Sequence, residues 1–235
     1  MIHLQLIGQY SPALLDANKA FSFINFASIG SFFQQPPDTI AYFCDGMLMS
    51  SFMSKVTGRA IDRVSFDFTS IADPVLSDAQ DLGKRVYIVG AHQHELELFI
   101  QKLHQRYPRL TLAGYHNGYF DGDQAAAIQA DICLGRADIL LVGLGAGLQE
   151  SFALDALEAG FSGVAFTCGG FIRQEAMTDG TYYPEVINRL HLRAFYRMYR
   201  EPHTIGRYLL DYPSNFLQLA ALILRNKVAI KITAP

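Results

Sequence analysis

Short apolar runs rich in β-branched and aromatic residues recur along the chain, and most end at a glycine or a polar residue. They are Thr39–Cys44 (TIAYFC), Arg85–Gly90 (RVYIVG), Leu110–Gly114 (LTLAG), Asp138–Gly143 (DILLVG) and Gly163–Cys168 (GVAFTC). Between them lie stretches with helical spacing: Gly46–Val56, His94–Tyr107, Gln124–Leu134 and Leu148–Ala159. Continuously apolar strands separated by helices predict a mostly parallel sheet with helices on both faces. The expected fold class is therefore α/β, with a Rossmann-like body over residues 1–184. From Pro184 the pattern changes. Glu185–Arg200 and His203–Arg225 both read as helical, with Glu201-Pro202 as the break between them, so residues 185–235 are predicted to form a basic helical appendage.

Composition refines this picture. Half of the 235 residues are hydrophobic, enough for one sizeable core. Only 17% are charged, and 17 Phe and 12 Tyr stand against no Trp, which suggests apolar surface left for a partner or a membrane. No apolar stretch approaches the roughly 20 residues that span a bilayer; Phe216–Leu224 is too short. The start carries no export-signal pattern, and Cys44, Cys133 and Cys168 read as reduced core residues. A cytoplasmic protein is expected. The net charge of −3 hides an asymmetry: residues 185–235 carry eight Lys/Arg against three Asp/Glu, and the rest 11 against 19. A basic tail on an acidic body suggests an anionic partner at one end; nucleic acid is not among the expected partners.

Four local features carry candidate chemistry. Asp45-Gly46 follows the strand TIAYFC, where open α/β sheets bind ligands. The carboxylate suits a general base and equally suits an N-cap for the next helix. Val142–Glu150 (VGLGAGLQE) is a glycine-rich strand-to-helix turn that can present backbone N–H groups to a diphosphate. Its G-x-G-x-x-G pattern fails at Leu148, so a nicotinamide oxidoreductase is a competing reading with little support. Gln149 and Glu150 could reach a sugar hydroxyl, or Glu150 could simply favour the helix dipole. Asp121-Gly122-Asp123 spells the D-x-D that holds a metal in many sugar transferases, but helix capping is the expectation here. Arg189, Arg193, Arg197 and Arg200 fall on one face of the predicted helix Glu185–Arg200, a pattern suited to phosphate. The following helix, with Arg207, Tyr208, Phe216 and Leu217, suits anionic lipid headgroups, with a homo-oligomer interface as the competitor.

In this order the pieces resemble the WecG/TagA/CpsF glycosyltransferases over nearly the whole chain. The match runs through Asp45-Gly46, Arg63-Val64 with Asp67, Gly83–Gly90 (GKRVYIVG), Arg106–Pro108, Gly114–Phe120, Ala137–Glu150, Arg189–Leu192, Tyr196-Arg197, Glu201-Pro202 and Arg207–Leu209. The resemblance implies metal-independent, inverting transfer from a UDP-sugar donor, commonly of N-acetylmannosamine or a related sugar. The acceptor it implies is a polyprenyl-diphosphate-linked saccharide at the inner membrane face. It implies no cofactor and a peripheral membrane attachment through the tail. Asp45 would be the general base. The substrate-binding set would be Asn25, Gly46, Arg63, Asp67, Gly90, Tyr119, Gly143, Gly145, Gln149, Glu150, Arg189, Arg197 and Arg207.

The sequence also departs from the family's pattern. Phe23-Ile24-Asn25 keeps the asparagine of T-x-N and loses the threonine. Gly147-Leu148 replaces the usual Pro and basic residue, Cys168–Ile172 lacks the aspartate of G-G-x-F-D, and L-E-W becomes Leu192-Arg193-Ala194. These changes leave the donor sugar open and keep an alternative in play: a non-catalytic paralogue that binds nucleotide or a partner in a polysaccharide assembly complex.

Overall fold

The computed structural model describes residues 1–33, 39–178, 182–190 and 192–233. Eight strands form one sheet in the order β5-β4-β6-β7-β2-β3-β1-β8, and each adjacent pair is parallel. The strands are β1 (Ile2–Ile7), β2 (Ala20–Ile24), β3 (Ile40–Cys44), β4 (Arg85–Gly90), β5 (Thr111–His116), β6 (Ile139–Gly143), β7 (Val164–Thr167) and β8 (Val228–Thr233). The helices are α1 (Ile29–Phe32), α2 (Met47–Thr57), α3 (Ala72–Asp81), α4 (Gln93–Arg106), α5 (Gly122–Leu134), α6 (Leu148–Glu158), α7 (Phe171–Ala176), α8 (Glu185–Arg189), α9 (Arg193–Arg200) and α10 (Tyr212–Leu224).

Parallel neighbours need crossover connections, and these put helices on both faces. Strand residues therefore alternate between two buried cores. Ile139 and Leu141 of β6 enter the core shared with α3, α4 and α7, whereas Leu140 and Val142 enter the one shared with α2, α5 and α6. The predicted Rossmann-like α/β body is what forms, and each of the five apolar runs is a strand to within about two residues.

The region after Pro184 differs from the expectation in two respects. The predicted helix Glu185–Arg200 is interrupted after Arg189 and resumes as α9 at Arg193, with His191 outside the described residues. Arg189 and Arg193 thus belong to different helices, and the four arginines do not share one continuous face. The second helical stretch passes through a π-helical turn, Arg207–Asp211, into α10. The chain then returns to the body: β8 pairs with β1 in register from Ile2↔Val228 to Ile7↔Thr233 and forms an edge of the sheet.

Leu219 of α10 is fully buried in the core that also holds Ile24, Met49 and Met53. Beside it, Phe216 packs edge-on against Phe26 and Phe52, with ring centroids 5.4 and 5.3 Å apart. Leu219→Ala would remove a buried anchor between tail and body. We expect it to destabilise the whole chain by about 3 kcal/mol, read by urea denaturation; an unchanged midpoint would show that α10 does not share the body's core.

Candidate active site

An all-parallel sheet opens all its strand carboxyl ends along one edge, and the candidate residues collect there. Ile24 of β2 pairs with Cys44 of β3, so Asn25 and Asp45 leave the sheet side by side. The Asp45 amide donates to the Ile24 carbonyl at 2.9 Å. Of the two roles open for Asp45, the structure does not use it as a cap: Gly46 holds the N-cap position of α2, with no side-chain cap bond. Gly46 sits at φ +85°, a left-handed conformation that favours glycine, and a Cβ there would lie 3.8 Å from the Tyr212 hydroxyl.

The Asn25 amide is oriented by its surroundings. Its Oδ1 accepts from the backbone N–H of Ala27 (2.8 Å) and Ser28 (3.1 Å), which turns Nδ2 toward Asp45 Oδ2 at 3.4 Å. Asp45 lies deep yet keeps solvent access. Burial raises its pKa above the usual carboxylate value. The charge of Arg63 opposes that rise, Asp67 adds to it, and Arg197 and the Asn25 hydrogen bond oppose it. A carboxylate made more basic in this way, with little of its hydrogen-bonding capacity used, can accept a proton from an incoming hydroxyl.

The segment after Arg63 joins this corner through the Val64 amide, which donates to the Cys44 carbonyl at 2.8 Å. Arg63 Nη2 donates to Ser65 Oγ (2.9 Å), and Ser65 Oγ donates to Asp67 Oδ2 (2.6 Å). Asp67 also accepts from the Thr69 amide and hydroxyl, and Arg193 Nη1 of α9 bonds it at 2.9 Å. Arg193 Nη2 donates to the Thr69 hydroxyl. Burial pushes the Asp67 carboxyl up, but Arg193 and the hydrogen bonds from Ser65 and Thr69 outweigh it and hold the pKa below its ordinary value. In this structure Asp67 clasps the tail to the body.

Arg197, one turn beyond Arg193, is half-buried with its Nε 3.5 Å from Glu201 Oε2. Its Nη2 would stand 3.6 Å from a Cβ at Gly170, just past β7. Burial disfavours its charge, but Tyr183, Glu201, Tyr208 and Asp45 together keep its pKa raised. Tyr183, Tyr208 and Tyr212 gather around the same corner, and burial pushes all three phenols up. Sequence reasoning noted Tyr208 only in passing and missed Tyr183 and Tyr212. The i, i+4 spacing of Tyr208 and Tyr212, whose rings lie 5.0 Å apart, was the available signal.

The glycines form a second zone. A Cβ at Gly90 would lie 2.7 Å from the Gly143 carbonyl oxygen, and one at Gly143 would lie 2.9 Å from that of Gly169. The carboxyl ends of β4, β6 and β7 thus touch backbone to backbone. Gly143 is three strands from β3 and Gly90 four, or about 14 and 19 Å at ~4.8 Å per strand. Gly145 sits in the turn before α6, and Tyr119 is exposed, its ring stacked on His92 at 4.0 Å. Gln149 and Glu150 are buried: Glu150 accepts from Ser22 Oγ (2.6 Å), Gln149 Nε2 (3.0 Å) and the Gly147 amide (2.6 Å). Gln149 Oε1 accepts from the Gly169 amide at 3.1 Å. This network ties the start of α6 to β2 and β7 and lies beneath the edge. Arg189 and Arg207 are exposed on the tail. Asp121 of the D-x-D caps α5, accepting from the Gln124 amide at 2.9 Å.

The Glycosyl transferase WecG/TagA/CpsF family matches residues 38–229. The UDP-Gal:alpha-D-GlcNAc-diphosphoundecaprenol beta-1,4-galactosyltransferase of Shigella boydii is 31% identical over 171 residues, covering 73% of this chain and 72% of that enzyme. The N-acetylglucosaminyldiphosphoundecaprenol N-acetyl-beta-D-mannosaminyltransferase of Bacillus subtilis (strain 168) is 27% identical over 135 residues, 54% of this chain and 49% of that enzyme. A mannosaminyltransferase of the same name from Staphylococcus aureus (strain MW2) is 27% identical over 137 residues, 58% and 53% of the two chains. The matches to the mannosaminyltransferases thus span about half of those enzymes' length.

The side chains of Arg193 and Asp67 are only 17% and 12% exposed, so removing one partner strands a buried charge. Asp67→Ala should cost about 3 kcal/mol, and Asp67→Ala/Arg193→Met should recover part of that loss. Because the Asp67 pKa is depressed, its contribution should be fully present above about pH 4 and fade as pH falls through the lowered folded value. Thermal melts from pH 3 to 8 would test both; a double variant no better than Asp67→Ala would refute the clasp.

Proposed function

The chain belongs to the WecG/TagA/CpsF glycosyl transferase family, and on that premise we propose that it moves a hexose from a UDP-sugar onto a polyprenyl-diphosphate-linked N-acetylglucosamine with inversion. The observation that carries this reading is the uncapped Asp45 carboxylate at the end of β3, made more basic by burial and faced by Arg63 and Arg197. The acceptor class follows from the relatives' names, which share N-acetylglucosaminyl diphosphoundecaprenol. Those names divide between galactose and N-acetylmannosamine as the transferred sugar, which supports a UDP-hexose donor of one of these two kinds.

In this mechanism Asp45 takes the proton of the acceptor hydroxyl as its oxygen attacks the anomeric carbon. The bond from that carbon to the UDP oxygen breaks on the opposite face, and UDP leaves with the electron pair. Negative charge grows on the departing diphosphate, where Arg63 and Arg197 supply fixed positive charge without a metal. The glycine edges of β4, β6 and β7, with Gly90, Gly143 and Gly145, form the floor for the nucleotide. Tyr119, Gln149 and Glu150 line or support that floor.

The tail supplies the membrane contact. Arg189, Arg200, Arg207 and Arg225 are exposed, as are Phe195, Leu209, Leu210 and Leu217, a mixture that suits an anionic headgroup layer. Among the described residues no helix is long and apolar enough to cross a membrane. The exposed basic and apolar side chains of the tail support the reading of a peripheral protein at the inner face of the cell membrane.

Asp45→Asn should lower kcat at least ~100-fold, the scale of lost general-base catalysis. Wild-type kcat/KM should rise with pH through the Asp45 pKa, with an acid limb above the ordinary aspartate range. Both are measured with UDP-galactose and UDP-N-acetylmannosamine in parallel on a short-chain N-acetylglucosaminyl diphosphate lipid. Turnover of neither donor by a chain that binds UDP would overturn the reading in favour of a non-catalytic binder. A second measurement is sedimentation with vesicles of neutral or anionic lipid: Arg207→Glu/Arg225→Glu should weaken binding to the anionic vesicles, and equal binding by both proteins would remove the tail from the membrane.

A further inference from the structure

Glu201 ends α9. Its amide donates to the Arg197 carbonyl at 2.7 Å, closing the last turn, and Pro202 cannot continue the ladder. A carboxylate at such a break would ordinarily turn to solvent, but this residue is only 8% exposed. Its Oε1 accepts from the Tyr182 hydroxyl at 2.9 Å and from Gln174 Nε2 of α7 at 3.0 Å. Its Oε2 faces Arg197 Nε at 3.5 Å. Its backbone is held too: the Thr204 hydroxyl, itself buried, donates to the Glu201 carbonyl at 2.7 Å. Burying a carboxylate is costly, and here two neutral donors and a cation four residues earlier offset that cost. Burial alone would raise its pKa, yet Arg197, Gln174 and Tyr182 hold the carboxyl below the usual glutamate value.

Resting on the reading of Arg197 as a cation for the leaving diphosphate, we propose that Glu201 is a positioning residue, a body-anchored carboxylate that aims Arg197 into the reaction corner. Arg197 is a long side chain with many rotamers when free, so a fixed partner is needed to hold it in one of them. Glu201 engages its Nε edge, and Nη2 stands on the side of Gly170, just past the end of β7. The contact is ionic: Arg197 Nε has no hydrogen-bond partner among the described residues. The charge of Glu201 therefore holds the guanidinium in place without a directed hydrogen bond to Nε. Gln174 belongs to α7, packed on the body, and Tyr182 to the approach to α8, so Glu201 transmits the body's position to a tail residue. Glu201 itself does not touch substrate in this scheme.

The test uses the full chain. Glu201→Gln keeps the size of the side chain and an acceptor for Gln174 and Tyr182 while removing the charge. It is expected to lower kcat at least tenfold (~1.4 kcal/mol) with KM for the acceptor within about twofold, and to weaken UDP binding, measured by calorimetry, about threefold or more. In an Arg197→Ala background the same substitution should change neither quantity. A merely structural glutamate would give additive losses, and that result, or unchanged UDP affinity and kcat in Glu201→Gln, overturns the proposal. Should Glu201→Gln fail to fold, Gln174→Ala loosens the same grip from the body side. It must then weaken UDP binding in the wild-type background and not in Arg197→Ala. The calorimetric cycle needs no donor sugar, so it judges Glu201 even if both UDP-sugars fail as substrates. If Arg197→Ala binds UDP and turns over as the wild type does, the role of Arg197, and with it that of Glu201, is refuted while Asp45 is judged separately.

Discussion

Strands that run the same way can be joined only by crossovers, and that constraint organises everything else in this molecule. It fills both faces of the sheet with helices, so each strand is apolar on both sides, and it brings every strand's carboxyl end to one edge. Asn25, Asp45, Gly90, Gly143 and Gly169 come from positions scattered over 145 residues of chain. They reach one edge because β2, β3, β4, β6 and β7 all point there. The order of the strands then sets distances. Adjacent β2 and β3 put Asn25 beside Asp45, while the glycine zone runs from β7, two strands from β3, out to β4, four strands away, so that the candidate residues spread along an elongated stretch of the edge.

Opposite charge closes this edge. The body is acidic and the tail basic, and the structure shows where that imbalance acts: Arg193 meets Asp67, and Arg197 lies in the field of Asp45. The two arginines differ in what remains available to a ligand. Arg193 is engaged by Asp67 and Thr69, whereas Arg197 meets Glu201 through Nε and has Nη2 on the side of Gly170. Apolar anchoring sets the geometry within which these charges act, through Leu219 in the core and Phe216 against Phe26 and Phe52. A charge pair alone would not hold a tail this way in water, since exposed ion pairs contribute little; these pairs are sheltered because the helices that carry them are packed down.

Much of this was legible before any coordinates. The runs at 85–90 and 138–143 became β4 and β6 because strands buried on both faces leave an unbroken apolar signature, and the intervening helical periods became α4, α5 and α6. Asp121 was legible as a cap, since capping is a local interaction three residues long. Asp45 was legible as a candidate but ambiguous between base and cap, because the same Asp-Gly pair serves either role. That Asp45 does not cap α2 depended on Gly46 taking the N-cap position at φ +85°.

The sequence by itself determined the class of fold, the catalytic candidate and the charge of the tail, because each is written in residue types or in spacings of a few positions. The tertiary structure decided the rest. The pairing of β8 with β1 joins residues more than 220 apart, Arg193 reaches Asp67 across 126, and Ser22 reaches Glu150 across 128. The break between α8 and α9, which separates Arg189 from Arg193, and the gathering of Tyr183, Tyr208 and Tyr212 around Asp45 are of the same kind. Local periodicity reports which face of an element is buried. Which distant side chains share that burial follows only once the strand order and the docking of the tail are set, and in this protein those contacts shape the corner around Asp45.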